Sequence, residues 1–149
     1  MNDDSGPKAK TSITAGLFVL ALFGSTAYAV DLTVKVAKVS SDSGNIRIAL
    51  HDGEEGFPSK REPTQVRLVQ ADASGVTVVF NDVVPGTYAV AVYHDVDGDG
   101  ELDTNFLGAP REPLGFSRDA RGRMGPPSFD SAAILIAEDN MEITINLSD

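Results

Sequence analysis

The sequence contains no cysteine. This absence excludes disulfide bonds, thiolate metal sites, a cysteine nucleophile and lipid attachment through an amino-terminal cysteine. Basic residues are also scarce, since 12 lysines and arginines stand against 22 aspartates and glutamates, which gives a formal net charge of −10. A chain of this charge repels phosphate backbones and anionic lipids, so we expect no nucleic-acid partner.

The apolar run at residues 13–23 is too short for the ~20 residues that span a bilayer. It follows Lys8 and Lys10 and precedes Ala27-Tyr28-Ala29, an order that is typical of a secretory signal peptide. We therefore predict a signal peptide at residues 1–29, an exported product in the periplasm or outside the cell, and no transmembrane segment in the mature chain. An uncleaved anchor or a buried first helix is the alternative.

The remaining residues 30–149 number about 120, which suits one domain with its own core. Apolar and polar residues alternate with period two, which favours strands over helices. We predict an all-β fold, a seven-stranded antiparallel β-sandwich of immunoglobulin-like architecture, with a closed barrel as the alternative. Turn residues predict one hairpin between the first two strands and another between the last two. The seven predicted strands cover residues 32–36, 46–50, 66–70, 76–80, 88–93, 133–137 and 143–147.

One connection, residues 96–131, is much longer than the others. Loops longer than about 15 residues in compact domains are usually functional or disordered. Apolar side chains and several prolines favour an ordered loop here. We predict that Phe106, Phe116 and Phe129 fasten this loop to the sandwich, whereas an aromatic binding surface is the alternative.

The segment at residues 95–103 places five carboxylates in nine residues directly after an apolar strand. Like charges this close need a counter-charge or full solvation. The spacing matches positions one, three, five, seven and nine of a calcium loop, with Gly100 at the turn, although Phe106 occupies the place of the EF-hand glutamate. Asp119, Glu112, Asp130 or water would complete the shell, which predicts weak binding of Ca²⁺. The predicted ligands are Asp95, Asp97, Asp99, Glu101 (through its carbonyl) and Asp103.

The alternative to calcium is an acidic turn whose charges pair with nearby guanidinium groups. Four arginines follow in the same connection, and they either neutralise the acidic loop or hold a carboxylated or phosphorylated ligand. These are Arg111, Arg118, Arg121 and Arg123.

Other chemical groups give weaker signals. His51 and His94 each end an apolar strand, but strands of alternating direction would place them at opposite ends of the sandwich. Ser117 lacks the second glycine of a nucleophile elbow.

Distinctive motifs lie at residues 56–58, 85–89, 93–95, 100–108, 112, 115–117, 120–122 and 125–129. Together they resemble those of the DUF2141 family of exported bacterial proteins. The resemblance implies an exported β-domain and no particular activity. The turn at residues 85–88 also looks like one in transthyretin-like sandwich domains, which is an analogy in fold only.

The sequence favours a non-catalytic module that serves binding, adhesion or assembly at the cell envelope, with calcium holding its acidic loop. An unidentified protein or glycan would be its partner. The alternative is a small hydrolase of envelope polymers that uses Glu101, Asp103 and Glu112 as acids.

Overall fold

The computed structural model describes residues 28–58, 62–137 and 139–148. The predicted signal peptide lies outside the described residues except for its last two positions, so it stays a prediction. Within the described ranges, no helix has the length and apolar character needed to cross a membrane.

The described residues form a mostly β domain with eight strands, one short helix and a 3₁₀ turn. All seven predicted strands are present. The predicted count is one too low, because a three-residue strand with a central glycine has no readable alternation. The elements are β1 Val30–Ala37, β2 Asn45–His51, β3 Gln65–Gln70, β4 Val76–Val83, β5 Gly86–Asp95, β6 Leu114–Phe116, the 3₁₀ turn Ser117–Asp119, α1 Phe129–Ala132, β7 Ile134–Ile136 and β8 Met141–Asn146.

The strands form two sheets, which supports the all-β prediction. The first sheet has the order β4-β1-β8, and the second has the order β3-β2-β5, with β6 and β7 both paired to β5. The expected purely antiparallel arrangement is wrong at one place, because β1 and β8 run parallel.

Both predicted hairpins are also wrong. β1 pairs with β4 and β8, whereas β2 pairs with β3 and β5 in the other sheet. Likewise β7 pairs with β5, whereas β8 pairs with β1. Turn residues specify a reversal of the chain, but each of these reversals carries the chain from one sheet to the other.

The main core lies between the two sheets. Alternate residues of β1, such as Leu32 and Val34, are fully buried against Ile48 of β2 and Val90 of β5. Phe80 of β4 is also fully buried. Complete burial of one such side chain contributes about 1.5–3 kcal/mol, so each of them stabilises the sandwich substantially.

A second apolar cluster lies on the outer face of the second sheet. Phe116 and Phe129 are buried there with Ala89, and Phe57 packs edge-on against both phenylalanines. The prediction that Phe116 and Phe129 fasten the long connection is therefore confirmed. It is wrong for Phe106, whose side chain is 96% exposed.

Candidate metal centre

The acidic loop, residues 95–103, starts at the end of a central strand. Asp95 is the last residue of β5, is 2% exposed, and lies opposite Asn45 of β2 in the strand register. The loop then folds back, since the hydroxyl of Tyr93 donates a hydrogen bond to the carbonyl of Gly100 at 3.0 Å. A tyrosine hydroxyl is protonated at neutral pH, and burial raises the pKa of Tyr93 further above its ordinary value. The end of β5 therefore fixes where the acidic loop starts, and the hydrogen bond from Tyr93 fixes where the loop comes back to the sheet.

The carboxylate of Asp95 accepts hydrogen bonds from two backbone amides of the acidic loop. Its Oδ1 accepts a hydrogen bond from the amide of Gly98 at 2.8 Å, and its Oδ2 accepts one from the amide of Gly100 at 3.0 Å. Bonds from amides to an ionised carboxylate are stronger than neutral ones. Asp95 therefore fixes the path of the loop as well as supplying a possible ligand.

Asp97 and Asp99 are exposed and repeat a local turn motif. Each accepts a hydrogen bond from the amide two residues later. The amide of Asp99 donates to Asp97 at 3.2 Å, and the amide of Glu101 donates to Asp99 at 2.8 Å. Such turns are typical of aspartate in loops. They hold the two carboxylates on the same side of the chain as Asp95.

The three aspartates offer oxygens that lie within 4.8 Å of one another. Two oxygens bound to one calcium ion are separated by at most about 5 Å, twice the calcium–oxygen distance. Without a cation, each pair of charges at this separation repels by about 1 kcal/mol even in water. The geometry therefore suits a divalent ion bound by oxygen.

The structure brings together three of the five predicted ligands. Glu101 and Asp103 are exposed and do not belong to the group of three, so their part in metal binding stays a prediction. Among the residues considered for completing the shell, Asp119 instead accepts hydrogen bonds from the backbone and side chain of Asn146.

Glu112 has a role that the sequence reasoning missed. It is 6% exposed, and its two carboxylate oxygens accept hydrogen bonds from the amides of Val96 at 2.8 Å and Asp103 at 3.1 Å. Glu112 thereby joins the two ends of the acidic loop. The available signal was its position directly before the apolar segment at residues 113–116, where a charged side chain is buried only if it is paired.

A family model described as an uncharacterised protein conserved in bacteria (DUF2141) matches residues 34–144, which include most of both sheets and all of the acidic loop. The chain belongs to the DUF2141 family. Neither a curated protein nor a solved structure matches the chain significantly.

The arginines of this DUF2141 domain do not neutralise the acidic loop by direct pairing. Arg118 points to the carbonyls of Asp130 and Ala133, and Arg121 donates to Ser148. Within the part of the chain that the structure describes, no ion pair joins any of the four arginines to a carboxylate of the acidic loop. The charge of the loop is therefore left to solvent or to a bound cation.

The two histidines lie at opposite ends of the β2–β5 ladder, as predicted. His94 pairs in register with Ile46, whereas His51 pairs with Ala89. His94 is fully buried, with its ring nitrogens in contact with the hydroxyl of Ser40 at 3.1 Å and the carbonyl of Ser43 at 2.7 Å. It fastens the turn before β2 to the strand that leads into the acidic loop.

Ser117 of the DUF2141 domain has a structural position. It is fully buried, and its hydroxyl accepts a hydrogen bond from the amide of Val90 and donates one to the carbonyl of Ala132. Val90 lies between the stretches of β5 that pair with β7 and with β6. Ser117 therefore connects these two short strands.

Substitution of Glu112 by glutamine should destabilise the protein by about 2 kcal/mol, measured by thermal unfolding in EDTA. Glutamine keeps one acceptor oxygen but turns an amide nitrogen toward the second backbone donor, so one charge-assisted bond is lost. The melting temperature should fall by roughly 8 °C. Glu101→Gln is the control, because this exposed side chain makes no hydrogen bond among the described residues and its loss should change the melting temperature by less than about 1 °C. Equal melting temperatures for the two variants would contradict the assigned role of Glu112.

Proposed function

We propose that the protein is an exported, non-catalytic module that binds a partner at the cell envelope, with its acidic loop organised by calcium. The observation that carries the calcium part is the convergence of Asp95, Asp97 and Asp99, whose oxygens lie within 4.8 Å of one another. Export rests on the leader pattern of the sequence.

Calcium is favoured over other cations by the donors and by the flexibility of the site. All three donors are carboxylate oxygens, which suit hard cations rather than zinc or copper. Two of them sit on an exposed loop, and calcium accepts six to eight ligands in variable geometry, whereas magnesium demands a near-ideal octahedron. With water in the remaining positions, we expect a dissociation constant of about 10⁻⁴–10⁻³ M.

A hydrolase that uses Glu101, Asp103 and Glu112 is the weaker hypothesis. Both oxygens of Glu112 already accept backbone amides that brace the loop. Glu101 and Asp103 are both exposed to solvent.

We also propose that the sandwich is transthyretin-like rather than immunoglobulin-like. The first two strands of an immunoglobulin constant domain lie in one sheet. Here β1 and β2 lie in different sheets, and β1 pairs in parallel with the last strand. The resemblance of the turn at residues 85–88 to transthyretin-like domains supports the same proposal.

Thermal unfolding with calcium and with EDTA tests the proposed metal. At 10 mM calcium and a dissociation constant near 1 mM, binding would stabilise the protein by about 1.4 kcal/mol. The melting temperature should therefore rise by roughly 5 °C relative to EDTA. The double variant Asp97→Asn and Asp99→Asn should lose this rise. In EDTA it should be at least as stable as the parent, because it removes charge repulsion while each asparagine oxygen still accepts its amide.

A matched control is the double variant Glu54→Gln and Glu55→Gln, which makes the same change in net charge on an exposed segment. It should keep the full calcium response. If calcium leaves the parent unchanged, or stabilises both double variants equally, the loop is not the calcium site.

A further inference from the structure

The outer face of the second sheet contains a groove created by the sizes of neighbouring side chains. Ala49 of β2, Ala91 of β5 and Phe116 of β6 lie in one row across the sheet, in register. The next row holds the larger side chains of Arg47 and Tyr93. Two alanines beside larger neighbours leave a depression whose floor is the sheet itself.

Two loops raise the walls of this groove. Pro58, Glu62 and Pro63 come from the connection after β2, and Glu101 and Leu102 come from the acidic loop. The groove is open to solvent and has a volume of about 520 Å³, within the range of roughly 300–1,000 Å³ that is usual for ligand sites. The site is therefore shaped by the same loop that the proposed calcium would order.

The polar groups of the groove carry both signs of charge. The guanidinium of Arg47 lies 5.9 Å from the centre of the Tyr93 ring and, among the described residues, has no hydrogen-bond or ion-pair partner. Arg47 is half-buried, so its guanidinium has lost some hydrogen bonds to water. An acceptor on a ligand would replace them. Glu62 and Glu101 also line the groove, and their negatively charged carboxylates only accept hydrogen bonds.

We propose that this groove binds a neutral sugar unit of an envelope glycan. A hydroxyl group both donates and accepts, so a polyhydroxylated ring satisfies the guanidinium and the carboxylates together without a net charge. A purely anionic ligand would be repelled by the two glutamates, and a purely cationic ligand would be repelled by the arginine. Ala49 is buried, so Ala91, which is partly exposed in the floor, offers its methyl group to the apolar face of such a ring. This inference rests on the binding role proposed above and names its ligand class.

The test is a titration of the protein, in 5 mM calcium, with four neutral tetrasaccharides, built from glucose in β linkage, glucose in α linkage, mannose and N-acetylglucosamine. A galacturonic acid trimer and the dipeptide Ala-Ala serve as the acidic and zwitterionic probes. Amide shifts in nuclear magnetic resonance spectra report the site and the affinity. We expect at least one neutral tetrasaccharide to bind with a dissociation constant near 1 mM or below and to shift Ala49, Ala91 and Tyr93.

Ala91→Leu fills the floor and should weaken that binding at least tenfold. Arg47→Gln, which leaves the floor unchanged, should weaken it as well and keeps the test decisive if the first variant folds poorly. Ala73→Leu, on the exposed turn between β3 and β4, is the matched control and should bind like the parent. The proposal is overturned if no neutral tetrasaccharide binds at 10 mM, if only a charged probe binds, or if Ala91→Leu and Arg47→Gln both leave the affinity unchanged. The calcium response is measured separately by melting temperature, so either proposal can fail while the other stands.

Discussion

Substitution of Gly44 by alanine should destabilise the protein by about 3–4 kcal/mol, measured by denaturant unfolding. A Cβ at this position would meet the carbonyl oxygens of Asp95 and Val96, the first at 1.9 Å, far inside van der Waals contact. These are backbone atoms at the start of the acidic loop, so relief of the overlap requires movement of the loop or of the turn. Gly44 also has a φ of +71°, a region that costs an alanine about 1–2 kcal/mol, and the overlap adds the rest.

Gly108→Ala separates the overlap from the backbone strain. Gly108 has a similar φ of +78°, but an added Cβ would find nothing within 4 Å. This variant should therefore lose only the backbone term, about 1–2 kcal/mol of unfolding free energy. If the two alanine variants have the same free energy of unfolding, the close contact between Gly44 and the acidic loop does not exist in solution.

Substitution of Phe116 by alanine should cost about 3 kcal/mol of stability and lower the melting temperature by roughly 10 °C. Phe116 is 6% exposed and packs with Phe57 at a ring-centre distance of 6.0 Å. Its removal leaves a cavity between the second sheet and the segments that cover it. The cost follows from lost packing and from the cavity together.

Phe106→Ala is the matched control for this substitution. The Phe106 side chain is 96% exposed, so its truncation should change the melting temperature by less than about 1 °C. A fall in melting temperature comparable with that of Phe116→Ala would mean that Phe106 is buried in solution and that the original prediction for it was right.

The positions of the strands could be predicted because alternation of apolar side chains is a local property. Residues such as Leu32 and Val34 mark β1 without knowledge of its neighbours. The pairing could not be predicted, because the choice between a hairpin and a crossing to the other sheet depends on packing between distant segments. β6 was missed because three residues around Gly115 contain no periodic signal.

The spacing of the aspartates in the acidic loop could be read from the sequence, but the residues that hold the loop in place could not. The alternation of Asp95, Asp97 and Asp99 already implied that their side chains converge. The brace from Glu112 and the buried ring of His94 depend on contacts between residues far apart in sequence.

Phe106 was misjudged because apolar character alone does not distinguish a buried anchor from an exposed tip. Here the side chain of Asn105 accepts the amides of Leu107 and Ala109, and this small turn holds the tip away from the sandwich.

The parallel contact of β1 with β8 has a mechanical consequence. Six registered residue pairs join these strands, from Leu32 opposite Met141 to Ala37 opposite Asn146. If tension were applied at the start of β1 and the end of β8, it would slide one strand along the other, so the bonds between them would share the force and yield together instead of opening one at a time. A domain connected in this way resists stretching along its length far better than one whose end strands peel apart.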